Sequence, residues 1–152
     1  MNYGSLVWTL TTKSNLEKIS ILQRKCIRII NFLDFREHTT KYFLENKIIK
    51  FPDIISTNRL ILAMQFNNNQ LPPDLKNLFI NLNDFHNHNT RGSCSSMFHI
   101  PSTRSTHFGK QSLRYSIPQT LNSLSKVIPN ILTANSIYSL KNLLHEYFWN
   151  LY

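Results

Sequence analysis

Glycine is scarce in this chain, with three in 152 residues. A glycine-rich loop that wraps a nucleotide's phosphates with backbone N–H groups is therefore excluded. Acidic residues are few as well, eight in all. The aspartates Asp34, Asp53, Asp74 and Asp84 stand apart, and no Asp-Asp pair occurs. Two-metal phosphoryl transfer needs clustered carboxylates to hold its ions, so the chain is not expected to carry polymerase chemistry. Scattered carboxylates also leave general acid–base catalysis without an adjacent pair. Two cysteines, Cys26 and Cys94, cannot form a disulfide framework. No run of 18 apolar residues exists, so no membrane span and no membrane partner are expected. The opening MNYGSLVWTL lacks a basic segment followed by a long apolar core, which argues against a secretory leader. A reducing, intracellular setting is the expectation.

What the chain does have is apolar bulk and positive charge. Hydrophobic residues make up 41% and aromatics 12%, enough for the core of one domain over residues 1–152. Lysine and arginine outnumber acids 17 to eight, a formal charge of +9. The excess is also local: residues 85–145 hold no acid, while Arg91, Arg104, Lys110, Arg114, Lys126 and Lys141 fall inside that interval. A surface of one sign attracts polyanions, of which RNA and DNA are the usual ones. A merely soluble basic protein has the same composition.

The first strong element is TTKSNLEKISILQRKCIRIINFL. Ser14 and Glu17 have capping-box spacing, and Leu16, Ile19, Leu22, Cys26, Ile30 and Leu33 fall on one helical face. That face is expected to be buried, with Cys26 inert inside it. Lys18, Arg24, Lys25 and Arg28 form a basic back, read either as a solvated face or as a contact stripe. A short helix is expected over residues 40–47. Another follows in KFPDIISTNRLILAMQF, where Pro52 suits a first turn and Ile54, Ile55, Ile61, Leu62 and Met64 are apolar. LPPDLKNLFI repeats the device, with Leu75, Leu78 and Phe79 as its buried side. Residues 83–117 lose all period and read as an irregular basic segment, with a short strand around residues 96–100. Helices resume over 118–152, near residues 119–124 and again from Ser136, where Ile137, Leu140, Leu144, Tyr147, Phe148 and Leu151 form a stripe. The fold class is mainly α: a small domain of five to six helices, with its helical part at 1–82.

Residues 86–94, HNHNTRGSC, invite a metal reading through His86, His88, Cys94 and His99. Zinc sites pair their ligands at short repeated spacings, which H-x-H-x5-C-x4-H does not match. A metal-dependent nuclease on these four residues is the alternative function, and a histidine-rich polar loop is the commoner origin of such a run. Ser93, Ser95, His99 and His107 lack a carboxylate to orient a histidine, so a serine nucleophile is not supported. No cofactor is expected. Nucleic-acid contact has more support: Arg91, Arg104, Lys110 and Arg114 interleave with Phe98, His107, Phe108 and Tyr115. Cations can reach phosphates while rings stack on unpaired bases, although the same rings could instead fill a core.

The order of these motifs resembles the region that follows the reverse-transcriptase core in jockey-like non-LTR retrotransposon polyproteins. Tyr3-Gly4 with Val7-Trp8 is similar to the family's YG…VW segment, and Leu22, Gln23, Arg24 and Arg28 to its LQ-containing basic helix. His38-Thr39 with Tyr42-Phe43, LPPDLKNLF, and His88-Asn89-Thr90-Arg91 resemble the elements that come next. Pro101, Arg104, Gly109, Lys110, Ser112 and Tyr115 are similar to a P..RT..G++S..Y signature. In SIPQTLNSL, Pro118 and Asn122 match, while Ile117, Leu121 and Ser125 stand where the family has glycine, tryptophan and proline. SIYSLKNLLHEYF resembles the closing helix. The likeness spans the whole chain and implies a non-catalytic fragment whose parent is an RNA-directed DNA polymerase. The catalytic aspartates would then lie upstream of Met1, and the degraded segment suits a decayed, inactive copy as well. The implied partners are RNA or DNA and the parent's polymerase core, on which Trp8 and its neighbours would pack. The candidate nucleic-acid contacts are Arg24, Lys25, Arg28, Arg91, Arg104, Lys110 and Arg114, with Arg91 first among them.

Overall fold

A computed structural model describes residues 4–75, 77–85, 97–105, 108–128, 131, 134 and 136–152. Among these the chain is mainly α. It runs α1 (Ser5–Trp8), α2 (Lys13–Ile30), α3 (Thr40–Glu45), α4 (Phe51–Asn67), a 3-10 turn (Pro73–Leu75), α5 (Leu82–Phe85), α6 (Leu113–Leu124) and α7 (Ile137–Leu151). Five of these helices exceed one turn, within the range expected. The only sheet-like pairing among the described residues is an isolated antiparallel bridge between Asn81 and Phe98.

Helix α4 is the centre, packed against α1, α2, α6 and α7. Its Leu60, Leu62, Ala63 and Met64 join Ile117 and Leu121 of α6 and Leu140, Leu144 and Phe148 of α7 in one buried cluster. Phe79 and Phe98 close that cluster from the loops, stacked at 5.3 Å, with the ring of Phe66 edge-on to both. Phe98 is fully buried and so has no face for a base. Of the two roles its sequence context left open, the ring takes the one in the core.

Two side-chain amides do the work of missing strands. The bridge pairs Leu82 N–H with Met97 C=O and His99 N–H with Ile80 C=O, which leaves Phe98's own backbone groups facing α6. There Asn122 Oδ1 accepts from Phe98 N–H at 3.1 Å and Asn122 Nδ2 donates to Phe98 C=O at 2.8 Å. Gln23 treats the segment before α4 alike, donating to Ile49 C=O and accepting from Phe51 N–H, both at 2.8 Å. At the other end of the chain, Tyr152 Oη donates to Asp53 and accepts from Lys50 N–H. Burial holds the Asp53 carboxyl above its ordinary pKa, while that hydrogen bond opposes the shift.

Gln23 explains the largest departure from expectation. The buried face of α2 is Ser20 and Ile27, with Leu16 and Gln23 half-buried beside them. Leu22, Cys26 and Ile30, expected inside, are exposed. The amide pairing rotates the helix until its polar Gln23 meets the backbone of residues 49–51, carrying the neighbouring apolar residues outward. Ile29 in the last turn is exposed too, at 74%, as are Phe32 and Phe35 beyond the helix end, at 97% and 83%. Trp8, by contrast, stacks on Phe51 at 5.8 Å.

Other boundaries shift for local reasons. Thr12, in extended conformation, is the N-cap of α2; Ser14 meets the Thr12 hydroxyl and Glu17 pairs with Arg24, so no capping box forms. LPPDL is only a 3-10 turn, because Phe79 must enter the core and Asn81 must be extended for the bridge. Leu75, expected inside, is exposed. Helix α6 begins ahead of Pro118, since the Ser112 carbonyl already accepts from Tyr115 and Ser116 N–H. The irregular basic segment is therefore shorter than residues 83–117 and includes one helical turn, α5. Leu151, assigned to the stripe of α7, is exposed.

Helices α2, α3 and α4 all end in left-handed residues, Phe32, Lys47 and Asn69, with φ of 51°, 52° and 55°. Each end shows the paired Schellman hydrogen bonds, such as Ile48 N–H to Phe43 C=O at 2.9 Å and Lys47 N–H to Leu44 C=O at 3.0 Å. Glycine would normally sit there, because a side chain in this conformation costs about 1–2 kcal/mol. Lys47→Gly is expected to raise stability by roughly 0.5–1 kcal/mol in urea denaturation. Asn122→Ala leaves two backbone groups of a buried residue unpaired and should lower stability by roughly 2–4 kcal/mol in the same measurement.

Candidate anion-binding cleft

The signature around Gly109 folds as a tight scaffold. Ser105 Oγ accepts from the N–H groups of Phe108 and Gly109, and Ser112 Oγ donates to Gly109 C=O at 2.8 Å. A Cβ on Gly109 would lie 2.6 Å from Thr103 Cβ and 2.8 Å from Ser105 C=O, so this close approach requires glycine. The scaffold presents Lys110 and hands the chain to α6 at its N-cap, Ser112.

Lys110 thereby reaches the wall of a cleft of about 680 Å³, bounded by the start of α2, by α4 and by the first turns of α6. Lys13, Arg59 and Lys110 supply its charge, and Tyr115, Ser116 and Gln119 line its α6 side. Thr9, Thr11 and Thr12 close the side towards α1. No carboxylate and no imidazole lies among these lining residues. The described lining residues supply donors and positive charge, which suits binding of an anion.

Arg59 sets the electrostatics. It is half-buried on the central helix, and burial pushes its pKa down with no carboxylate opposing the shift. A guanidinium stays protonated even so. Its Nη1 lies 3.4 Å from Thr120 Oγ1, a hydroxyl that already donates to Ser116 C=O. Arg59 Nε is buried without a hydrogen-bond partner, and so is the hydroxyl of Ser116. Buried donors left unpaired are costly, and two of them line one cleft.

Of the candidate nucleic-acid and motif residues that are described, Lys110 and Tyr115 line this cleft. Arg104 and Arg114 are exposed on neighbouring segments, with Arg114 Nη2 at 3.5 Å from Asn77 C=O. The α2 cations are partly engaged in holding the fold. Arg24 pairs with Glu17 at 2.8 Å, and Arg28 donates twice to Glu37 C=O, at 3.3 and 3.2 Å. Lys18 and Lys25 are exposed, and no contact of this kind involves them among the described residues. Pro101 is half-buried in the segment leading to the Gly109 scaffold. His86, His88, Asn89, Thr90, Arg91 and Cys94 lie outside the described residues. Of the metal alternative only His99 is described, and its ring stacks on Phe85 at 3.8 Å. Among the described residues no group of three His, Cys, Asp or Glu could hold a metal ion.

Lys13, Arg59 and Ser116 were not singled out from the sequence. Arg59 had a readable signal, being the only charge between Asp53 and Asp74. No protein-family model, no curated protein and no solved structure matches the chain. No helix among the described residues is long and apolar enough to cross a membrane.

A half-buried guanidinium with no carboxylate partner should be dispensable for folding. Arg59→Met keeps the volume and removes the uncompensated charge, so stability should stay level or rise by about 1 kcal/mol. Thermal and urea unfolding of the variant check this; a loss of more than about 2 kcal/mol would show that Arg59 holds the fold.

Proposed function

We propose that this chain is a non-catalytic domain that holds RNA or DNA, of the kind that follows the polymerase core in jockey-like non-LTR retrotransposon polyproteins. The observation that carries the nucleic-acid part is the convergence of Lys13, Arg59 and Lys110 on one cleft lined by no acid, beside the ring of Tyr115. The net charge of +9 supports the same reading, since it favours association with polyanions at long range. The family part rests on the order and spacing of the motifs. Several motif residues have identifiable duties: Gln23 and Asn122 clamp backbone segments, and Gly109 permits the turn that presents Lys110. The polymerase core of such a polyprotein is the protein partner this reading implies. The uncovered arc of Leu22, Cys26, Ile29, Ile30, Phe32 and Phe35 is the apolar surface available to it.

The test is affinity for a structured RNA and a single-stranded DNA across a salt series. About three cation–phosphate ion pairs, whether to one phosphate or to several, give a slope of log K against log salt of roughly −2 to −3. Replacing both Lys13 and Lys110 by alanine should flatten that slope by about 1.5. Absence of binding at about 50 mM salt would sink the nucleic-acid reading.

A further inference from the structure

We infer that the cleft between α2, α4 and α6 is a pocket for one phosphomonoester, the terminal phosphate of a nucleic-acid strand, and not a segment of a groove that tracks internal phosphodiesters. Three observations point to a compact, doubly charged group. First, the cations Lys13, Arg59 and Lys110 come from three separate elements and meet around one cavity of about 680 Å³. A monoester carries about −1.5 to −2 charges at neutral pH, where an internal diester carries one. Second, two long helices begin at the cleft: α2 with 18 residues and α6 with 12, neither capped by a side-chain hydrogen bond. Their first turns line its walls through Lys13, Ser14, Tyr115 and Ser116. Uncapped helix starts present N–H groups and the positive end of the helix dipole to an anion.

The third observation is independent of the helix ends. Ser116 is 5% exposed and its hydroxyl has no partner. The neighbouring serine and threonine hydroxyls of α6 are all engaged: Ser112 with Gly109, Thr120 with Ser116 C=O, and Ser123 with Thr120 C=O. Ser116 alone departs from that pattern, on the wall where Arg59 Nε is also unpaired. Both atoms are shielded from solvent, so a phosphate oxygen accepts from them once the Ser116 hydroxyl and the Arg59 side chain turn towards the cleft, and charge-assisted bonds of this type are the strong ones. Tyr115, half-buried on the rim, offers a ring to the terminal base.

The inference takes its source of phosphate from the nucleic-acid reading, so the experiment separates the two. Oligonucleotides of one sequence are compared with 5′-phosphate, 3′-phosphate or hydroxyl ends by fluorescence anisotropy. In parallel, thermal unfolding is measured with inorganic phosphate against chloride at matched ionic strength. One phosphorylated end should bind about tenfold more tightly than the hydroxyl end, and phosphate should raise the melting temperature. Ser116→Ala and Arg59→Met should each remove most of the end preference while leaving residual binding to the hydroxyl-ended strand. Equal affinity for all three ends, with no phosphate-specific stabilisation, overturns the pocket while leaving nucleic-acid binding intact. Phosphate stabilisation without strand binding overturns the nucleic-acid source and keeps an anion site. An end preference unchanged in both variants places the site elsewhere and overturns the assignment. The wild-type comparison stands even if a variant fails to fold.

Discussion

Everything in this fold depends on covering α4. The helix is apolar around most of its circumference, and only the combined surfaces of α1, α2, α6 and α7 remove it from water. Fully burying one large aliphatic side chain is worth about 1.5–3 kcal/mol, so this one helix organises much of the available driving force. A charge on such a helix is a constraint on all its neighbours. Arg59 must emerge somewhere, and it emerges where the starts of α2 and α6 leave a gap. The cleft is thus a consequence of how the core is closed.

Closing that core with so few glycines has left marks elsewhere. Phe32, Lys47 and Asn69 adopt backbone angles better suited to glycine because three helices must turn sharply to reach their neighbours. Among the described residues no strand satisfies the extended backbones that cross the core, at residues 49–51 and around Phe98. Gln23 and Asn122 substitute for one, each supplying a donor and an acceptor from a single amide. A terminal amide has the same donor–acceptor pair as a peptide group, so it can cap an extended residue without a partner strand.

These devices decide what could be read in the sequence. Helices α4 and α7 were legible because Pro52 marks one start and the spacing of Leu140, Leu144 and Phe148 marks the buried side of the other. Helix α2 was legible in extent but not in rotation. Ser20 and Gln23 sit at the middle of its packed face, and hydrophobic periodicity counts both as outward-facing. The cleft was half legible. The acid-free interval singles out Lys110 and Tyr115, which lie close together in sequence. Lys13 and Arg59 join them only through tertiary packing, and Ser116 matters only because its hydroxyl has no partner.

The rotation of α2 has a further consequence for how the molecule is divided. Its 18 residues span about 27 Å at 1.5 Å per residue. Lys13, at its start, belongs to the cationic cleft, while Ile29, Ile30 and Phe32, at its end, belong to the uncovered apolar arc. Phe32 is unfavourable for this fold on two counts, since its aromatic ring faces water and its backbone is left-handed. Folding alone gives no reason for a phenylalanine there. Under the proposed function, exposed apolar side chains of this kind are what a protein partner would cover, and the cationic cleft sits at the other end of the same helix. The two surfaces are therefore joined by a rigid element and separated by more than a Debye length at physiological salt. An anion in the cleft and a protein on the arc would neither collide nor screen each other, and α2 would fix their relative orientation.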